Sequence, residues 1–218
     1  MNILVTAGPT REYLDPVRFL SNRSSGKMGY AIADEAQARG HRVHLVSGPV
    51  SIAPSAAVRC SQVVSAQEMR GAVMEHFQWA DVLVMCAAVA DWRPSACAEQ
   101  KLKKGSAQEG TLRLVRTADI LMEVRRVRRP NQLIVGFAAE THDMLTHARD
   151  KLERKGLDLL VANDVSRTDA GFGVDTNAVT LLEKGGGQWE LPLQSKQHVA
   201  RAILDWIEGQ SLVRSSGA

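Results

Sequence analysis

Short apolar segments alternate with amphipathic segments along most of the chain, and this alternation limits the possible folds more than any other feature. Two of the apolar segments, 82–90 and 133–139, are almost continuous, as is typical of strands that are buried on both faces. Such alternation predicts an α/β, Rossmann-like fold with a mostly parallel sheet and helices on both faces. The predicted strands are 3–7, 42–47, 58–64, 81–87, 132–138 and 157–162, and the predicted helices are 27–39, 67–78, 119–128 and 142–155.

Two regions depart from this alternation. Between Asp91 and Thr117 there is no helical period, and residues 101–104 and 111–115 alternate like a two-stranded ribbon around Gly105 and Gly110. From Asn177 onward the pattern predicts a β-hairpin followed by a helix from about 195 to 207. The prediction is therefore one domain over 1–209, with a projecting flap at about 92–117 and a frayed tail at 210–218.

The composition of the chain limits the classes of ligand that it is expected to bind. The chain has 218 residues, a formal net charge of +3, and only four Phe, two Tyr and four Trp, so no aromatic ladder for single-stranded nucleic acid is present. Small anionic substrates suit this balance better than nucleic acid or a membrane. Three cysteines, no secretory leader before the first strand and no long apolar run predict a reducing, cytoplasmic location. One of them, Cys86, is expected to be a core residue of a buried strand.

The run from Ser21 to Gly29 carries the clearest chemical signal. It places Asn22, Ser24, Ser25, Gly26 and Lys27 at the start of the predicted helix 27–39, after an unusually long strand-to-helix connection. Free backbone N–H groups and the positive end of the helix dipole lie at such a position. The run therefore predicts a phosphate-binding site. A serine-rich helix cap without a ligand would explain Ser24 or Ser25 alone, but neither the long connection nor Asn22.

Two common nucleotide motifs do not fit. The dinucleotide fingerprint needs glycines two and five positions after Gly8, and an acid after the second strand, where the chain has Ser47. A P-loop needs a glycine at Ser21 and a Ser or Thr at Met28. Neither requirement is met.

Several ordered motifs together resemble one family. The segments that carry the resemblance are Thr6–Glu12, Leu14–Arg18, Ser21–Gly29, Ala87–Asp91, Lys101–Lys104, Gly136–Thr141, Ala162–Asp164 and Gly171–Asn177. With these segments the chain is similar, over nearly its whole length, to bacterial phosphopantothenate–cysteine ligase, the phosphopantothenoylcysteine synthetase of coenzyme A biosynthesis.

The resemblance implies a two-step reaction. CTP, with Mg²⁺, activates the carboxylate of 4′-phosphopantothenate to an acyl-cytidylate and releases pyrophosphate. The amine of L-cysteine then forms the amide and releases CMP. Many relatives carry this domain behind a flavin-dependent decarboxylase. Because Met1 directly precedes the first strand, the chain is expected to be a stand-alone form that works with a separate decarboxylase.

Site residues follow from the resemblance by matching position. The implied catalytic residues are Asn22 and Lys101, and Asp91 is the implied metal contact. The implied nucleotide-binding residues are Met85, Cys86, Ala87, Asp91, Lys101, Ala118, Asp119, Ile120, Leu121, Phe137, Lys151 and Lys155. The implied substrate-binding residues are Asn22, Ser24, Ser25, Gly26, Lys27, Ala87 and Ala88.

Some of these positions allow a plainer interpretation. Phe137 could simply belong to the core, Asp91 could cap a turn, and Lys151 and Lys155, four residues apart on one helix, could form a solvated stripe. The chain also departs from the family at Thr117-Ala118, where Asn-Pro is usual before Asp-Ile.

Oligomeric state and two competing functions complete the expectations. In the family the flap lysine reaches over the active site of a second subunit, so Lys101 implies a homodimer. The competing functions are a nucleotide- or flavin-binding module without ligase activity and a divergent NAD(P)-dependent reductase.

Overall fold

The computed structural model describes residues 1–103, 110–140, 144–164, 169, 171 and 173–216. The helices are α1 (Lys27–Ala38), α2 (Ala66–Phe77), α3 (Ile120–Val127), α4 (Met144–Lys155) and α5 (Lys196–Ser216). The strands are β1 (Asn2–Ala7), β2 (Arg11–Tyr13), β3 (Phe19–Ser21), β4 (Arg42–Ser47), β5 (Arg59–Gln62), β6 (Val82–Met85), β7 (Trp92–Pro94), β8 (Leu114–Arg116), β9 (Leu133–Glu140), β10 (Leu159–Asp164), β11 (Thr176–Glu183) and β12 (Gln188–Ser195).

One eight-stranded sheet organises the chain, in the order β12-β11-β10-β9-β6-β1-β4-β5. The strands from β10 to β5 pair in parallel, and β11 and β12 join antiparallel at one edge. Helices cover both faces, so the predicted Rossmann-like class is confirmed. The hairpin predicted from Asn177 is also present, as β11 and β12.

Each strand divides its side chains between two cores. In β1, Ile3 packs on the side of α1 and α5, whereas Leu4 packs on the side of α2, α3 and α4, and both are fully buried. The same alternation occurs in β6, where Val84 and Leu83 face opposite cores. Burial on both faces explains the continuous apolar runs in the sequence.

Strand β6 ends earlier than predicted, at Met85 rather than at residue 87. The segment after Met85 leaves the sheet because its amides donate to Thr6 and Gly8, at the carboxyl end of β1. Thr6 Oγ1 accepts from the Ala87 amide at 3.1 Å, and the Ala88 amide donates to the Gly8 carbonyl at 2.9 Å. Cys86 consequently lies just beyond the strand and is half-buried, which corrects its assignment to the strand interior.

The flap pairs differently from the prediction. Its two strands are β7 and β8, at the base of the segment, and residues 101–103 are not in a strand. Leu114–Arg116 pairs with Trp92–Pro94 because the Thr117 amide donates to the Asp91 carbonyl at 3.0 Å and fixes the register from the base. Lys104 and Gly105 of the predicted ribbon lie outside the described residues.

Helix ends also shift. The last helix runs to Ser216 instead of ending near 207, because Gly209 is a single weak position and no proline follows it. Positions 142 and 143 of the predicted helix 142–155 are not among the described residues. In the part of the chain that the structure describes, no helix is long and apolar enough to cross a membrane.

Candidate active site

A cleft of about 900 Å³ lies at the carboxyl ends of β6, β9 and β10. This edge is where ligands bind in open α/β sheets. Every site residue predicted from the sequence lines this cleft except Lys101. The lining includes Asn22, Ser24, Ser25, Gly26, Lys27, Met85, Cys86, Ala87, Ala88, Asp91, Ala118, Asp119, Ile120, Leu121, Phe137, Lys151 and Lys155.

One side of the cleft, here called the α1 wall, consists of Asn22 and residues 24–29. Gly26 caps α1 at a φ of 78°, and no side-chain hydrogen bond caps the helix there. Gly29 lies so close to β1 that an added Cβ would sit 2.6 Å from Ala7 Cβ and 2.9 Å from the Thr6 carbonyl oxygen. Only glycine allows this approach, so the position of the helix start depends on backbone contacts.

Asn22 is held against the loop that follows β6. Its Nδ2 donates to the carbonyl oxygens of Ala88 at 3.0 Å and Val89 at 3.3 Å. The side chain is otherwise exposed to the cleft. Asn22 therefore joins the α1 wall to the segment where the two predicted substrate-binding alanines lie.

The opposite side, here called the α3–α4 wall, consists of residues 118–121 with Lys151, Arg154 and Lys155. Asp119 caps α3 by accepting from the Met122 amide at 3.2 Å, and it also forms an ion pair with the nearly buried Lys155. Lys151 Nζ donates to the Phe137 carbonyl at 2.7 Å. The two lysines are thus components of the cleft rather than of a solvated stripe.

The turn at Thr117-Ala118, where the family usually has Asn-Pro, is held by hydrogen bonds to the loop after β6. Thr117 Oγ1 donates to the Ala90 carbonyl at 2.6 Å, and the Thr117 amide donates to the Asp91 carbonyl at 3.0 Å. These bonds tie the start of the α3–α4 wall to the loop after β6. The threonine therefore provides a fixed turn where the proline is missing.

Sequence reasoning missed a third group of cleft residues, which comes from the last part of the chain. Lys196, at the start of α5, is buried and donates to the carbonyls of Gly171, at 2.9 Å, and of Val174. Burial and the nearby Lys27 lower its pKa. Asn177 accepts from the Gly171 amide at 3.0 Å. A lysine at a helix start ordinarily indicates a solvated charge, so no local signal identified Lys196.

Asn163 lies in one of the segments that match the family, but the resemblance implies no site role for it. It is 8% exposed, it lines the cleft at the end of β10, and its Oδ1 has no hydrogen-bond partner among the described residues. Its place directly after the predicted buried strand 157–162 is the signal that could have identified it.

Two titratable groups, one beside the cleft and one lining it, have pKa values shifted by their surroundings. Lys27 pairs with Asp175 at 2.7 Å and lowers the pKa of that carboxyl. Burial raises the pKa of the Cys86 thiol to about 12, so the thiol is neutral at physiological pH and unsuited to nucleophilic attack.

Lys101 lies on the flap and is exposed, outside the cleft lining. No group of three or more His, Cys, Asp or Glu side chains within the described ranges could hold a metal ion. Mg²⁺ ordinarily uses one or two carboxylates together with substrate phosphates, and exposed Asp91 in the cleft fits that pattern.

The model of the DNA/pantothenate metabolism flavoprotein C-terminal domain family matches residues 1–210. The chain belongs to this family. Among curated proteins, the chain is 48% identical over 213 residues to the coenzyme A biosynthesis bifunctional protein CoaBC of Bacillus subtilis, covering 96% of the chain and 52% of the relative. It is 46% identical over 209 residues to CoaBC of Escherichia coli K12, covering 95% and 51%. The chain therefore spans about half the length of the curated relatives it matches.

Solved structures give the same fold. The crystal structure of the C-terminal domain of CoaBC has a TM-score of 0.82 and 43% identity, and the match covers 98% of this chain and 96% of that one. A Cab2 mutant in complex with phosphopantothenate-cysteine has a TM-score of 0.79 at 16% identity, covering 100% and 89%, which establishes similarity of fold.

Proposed function

We propose that the chain ligates 4′-phosphopantothenate to L-cysteine with CTP, in coenzyme A biosynthesis. In the first step a carboxylate oxygen bonds to the α-phosphorus of CTP, and pyrophosphate leaves. In the second step the cysteine amine attacks the acyl carbon, CMP leaves and the amine loses a proton. The observation that carries the proposal is the meeting, in one cleft, of every site residue implied by the family resemblance apart from Lys101.

The α3–α4 wall is proposed as the nucleotide site. Attack of one anion on another requires positive charge near the phosphates, and Lys151 and Lys155 bring two ammonium groups to this wall. Met85 ends β6, and Phe137 lies in β9 one residue beyond the last pairing with β6, so both bring main-chain groups to the cleft that can recognise the hydrogen-bonding edge of a base. Mg²⁺ would neutralise phosphate charge there, and Asp91 would hold it together with the phosphates.

The α1 wall is proposed as the site for the acyl substrate. Lys27 and the uncapped start of α1 suit the phosphate of phosphopantothenate. Ala87 and Ala88 allow a close approach of substrate to backbone. The Asn22 carboxamide, which already lies at the Ala88 carbonyl, is proposed to turn one N–H toward the acyl oxygen as negative charge builds during attack by cysteine.

A homodimer and a decarboxylase partner are part of the proposal. Exposed aromatic and aliphatic side chains lie on the β2–β3 hairpin and on the flap, and pairing of two copies would cover them. They are Tyr13, Val17, Phe19, Trp92, Leu112 and Leu114. The curated relatives are bifunctional proteins, which supports cooperation with a decarboxylase. The cytoplasm is the proposed location.

Pyrophosphate release is the direct test. The purified chain, with phosphopantothenate, L-cysteine and Mg²⁺, should release pyrophosphate with CTP much faster than with ATP, and mass spectrometry should find phosphopantothenoylcysteine. Equal or faster rates with ATP would contradict the nucleotide assignment. A bound yellow flavin without any pyrophosphate release would favour the non-catalytic module, and tight NADPH binding would favour the reductase.

A further inference from the structure

The loop between β2 and β3 contacts the flap at the residue next to Lys101. Asp15 in this loop is fully buried. Its carboxylate accepts from the Val17 amide at 2.8 Å and the Arg18 amide at 2.9 Å, and it forms an ion pair with the Arg18 guanidinium. These bonds fix the carboxylate within its own loop.

The same pair of side chains holds both backbone groups of Leu102. The Leu102 amide donates to Asp15 Oδ2 at 3.1 Å, and Arg18 donates to the Leu102 carbonyl at 2.7 Å. The Leu102 side chain is half exposed, so burial contributes little to holding this point. One further backbone bond, from the Ala98 amide to the Leu14 carbonyl at 2.9 Å, lies near it.

We propose that Asp15 is a positioning residue for Lys101, acting with Arg18 as a clamp on the backbone of Leu102. The proposal rests on the proposed function in so far as Lys101 takes part in the reaction. A lysine that must contact a phosphate needs a fixed backbone position, because its long side chain carries much rotational freedom. The clamp fixes the backbone at Leu102, the residue that directly follows Lys101.

The electrostatics agree with such a clamp. Hydrogen bonds from Arg18 and from backbone amides hold the pKa of the Asp15 carboxyl well below its usual range. The carboxylate therefore stays charged at every pH at which the reaction can be assayed, and its bond to the Leu102 amide stays charge-assisted.

Limited trypsin digestion of the native protein measures the clamp without reference to activity. Asp15→Asn keeps the shape but removes the charge, and cleavage after Lys101 and Lys103 should become about tenfold faster, as expected for one lost charge-assisted hydrogen bond. Glu99→Gln, an exposed carboxylate two residues from Lys101, is the matched control and should leave the cleavage rate unchanged. Equal rates for Asp15→Asn and the unmodified protein would overturn the proposal.

A second pair of variants covers the case in which Asp15→Asn does not fold. Leu102→Pro removes the amide that Asp15 accepts from, whereas Leu102→Ala keeps it. Because trypsin does not cut a Lys-Pro bond, both variants are compared by cleavage after Lys103. Faster cleavage there in Leu102→Pro alone supports the clamp, and equal cleavage in both variants contradicts it.

Activity then separates positioning from general damage. Asp15→Asn should lower kcat for pyrophosphate release about tenfold in the unmodified background and less than twofold in a Lys101→Ala background, because the two residues act on one step. Equal losses in both backgrounds would make Asp15 a structural residue only. If the unmodified protein releases no pyrophosphate, the proposed function fails, while the trypsin result still decides the clamp.

Discussion

The two walls of the cleft present positive charge in different ways. The α1 wall does so mainly through its backbone, since Gly26 and Gly29 set the start of the helix and no side chain caps it, and Lys27, paired with Asp175, adds an ammonium group. The α3–α4 wall does so through long side chains, Lys151 and Lys155, which are bonded to the Phe137 carbonyl and to Asp119. The backbone donors of the first wall are in place before any ligand arrives, whereas the lysines of the second wall must exchange internal partners for ligand phosphates.

This difference suggests a division of labour. Backbone donors that are fixed in advance need no reorganisation during the reaction and suit a substrate that stays bound through both steps. Lysines held by exchangeable partners suit a nucleotide that arrives, loses pyrophosphate and leaves as CMP. Variants that damage one wall should therefore differ in kind from variants that damage the other.

The largest effect is expected on the α1 wall. Gly29→Ala places a Cβ 2.6 Å from Ala7 Cβ, and this overpacking should lower the free energy of unfolding by about 1–3 kcal/mol and reduce both half-reactions. Gly71→Ala is the control, because that exposed helical glycine has open space around its Cβ position and should gain about 0.5–1 kcal/mol. Urea denaturation measures both, and a Gly29→Ala protein as stable as the unmodified one would refute the backbone account.

A smaller effect on stability, but a clear one on activity, is expected on the α3–α4 wall. Lys155→Met leaves Asp119, whose side chain is 46% exposed and can regain water, so the protein should fold normally. Loss of the ammonium should lower kcat/KM for CTP about 10²-fold. Lys184→Met, at an exposed turn, should change nothing. Steady-state pyrophosphate release measures this effect. An unchanged kcat/KM would show that Lys155 has only a structural role.

The smallest effect concerns the ion pair between Lys27 and Asp175. Because Lys27 lowers the pKa of the folded Asp175 carboxyl, the pair stabilises the protein at neutral pH, and this contribution is lost as the pH falls through the lowered value. Asp175→Asn should remove that part of the acid dependence, by a small amount since the carboxylate is exposed. Unfolding followed between pH 7 and acid pH measures it, and identical curves for both proteins would show that the pair contributes no stability.

Sequence patterns predicted the framework well because they report burial. The apolar runs gave the parallel strands, but not the end of β6 at Met85, since that end depends on Thr6 Oγ1 and the Gly8 carbonyl from a distant segment. The flap strands were misplaced for a similar reason, because a local alternation at 101–104 does not determine which residues pair.

The site residues also differ in how far the sequence alone could identify them. Glycines and hydroxyls next to a helix start are visible in the sequence, so the α1 wall could be recognised from its own residues. Lys151 and Lys155 were implied by family resemblance alone. Lys196 carries no local signal, because its burial is produced by carbonyls of residues 171 and 174 that fold over it.

Single-turnover measurement of the two half-reactions tests the division between the walls most directly. Asn22→Asp puts a carboxylate beside the Ala88 and Val89 carbonyls and removes the donor proposed for the acyl oxygen. We expect this variant to release pyrophosphate and to accumulate the acyl-cytidylate, seen by mass spectrometry, with little amide. Lys155→Met should instead slow pyrophosphate release and form amide at the normal rate from any acyl-cytidylate it makes. If both half-reactions fall together in both variants, the two walls do not divide the reaction and the account is wrong.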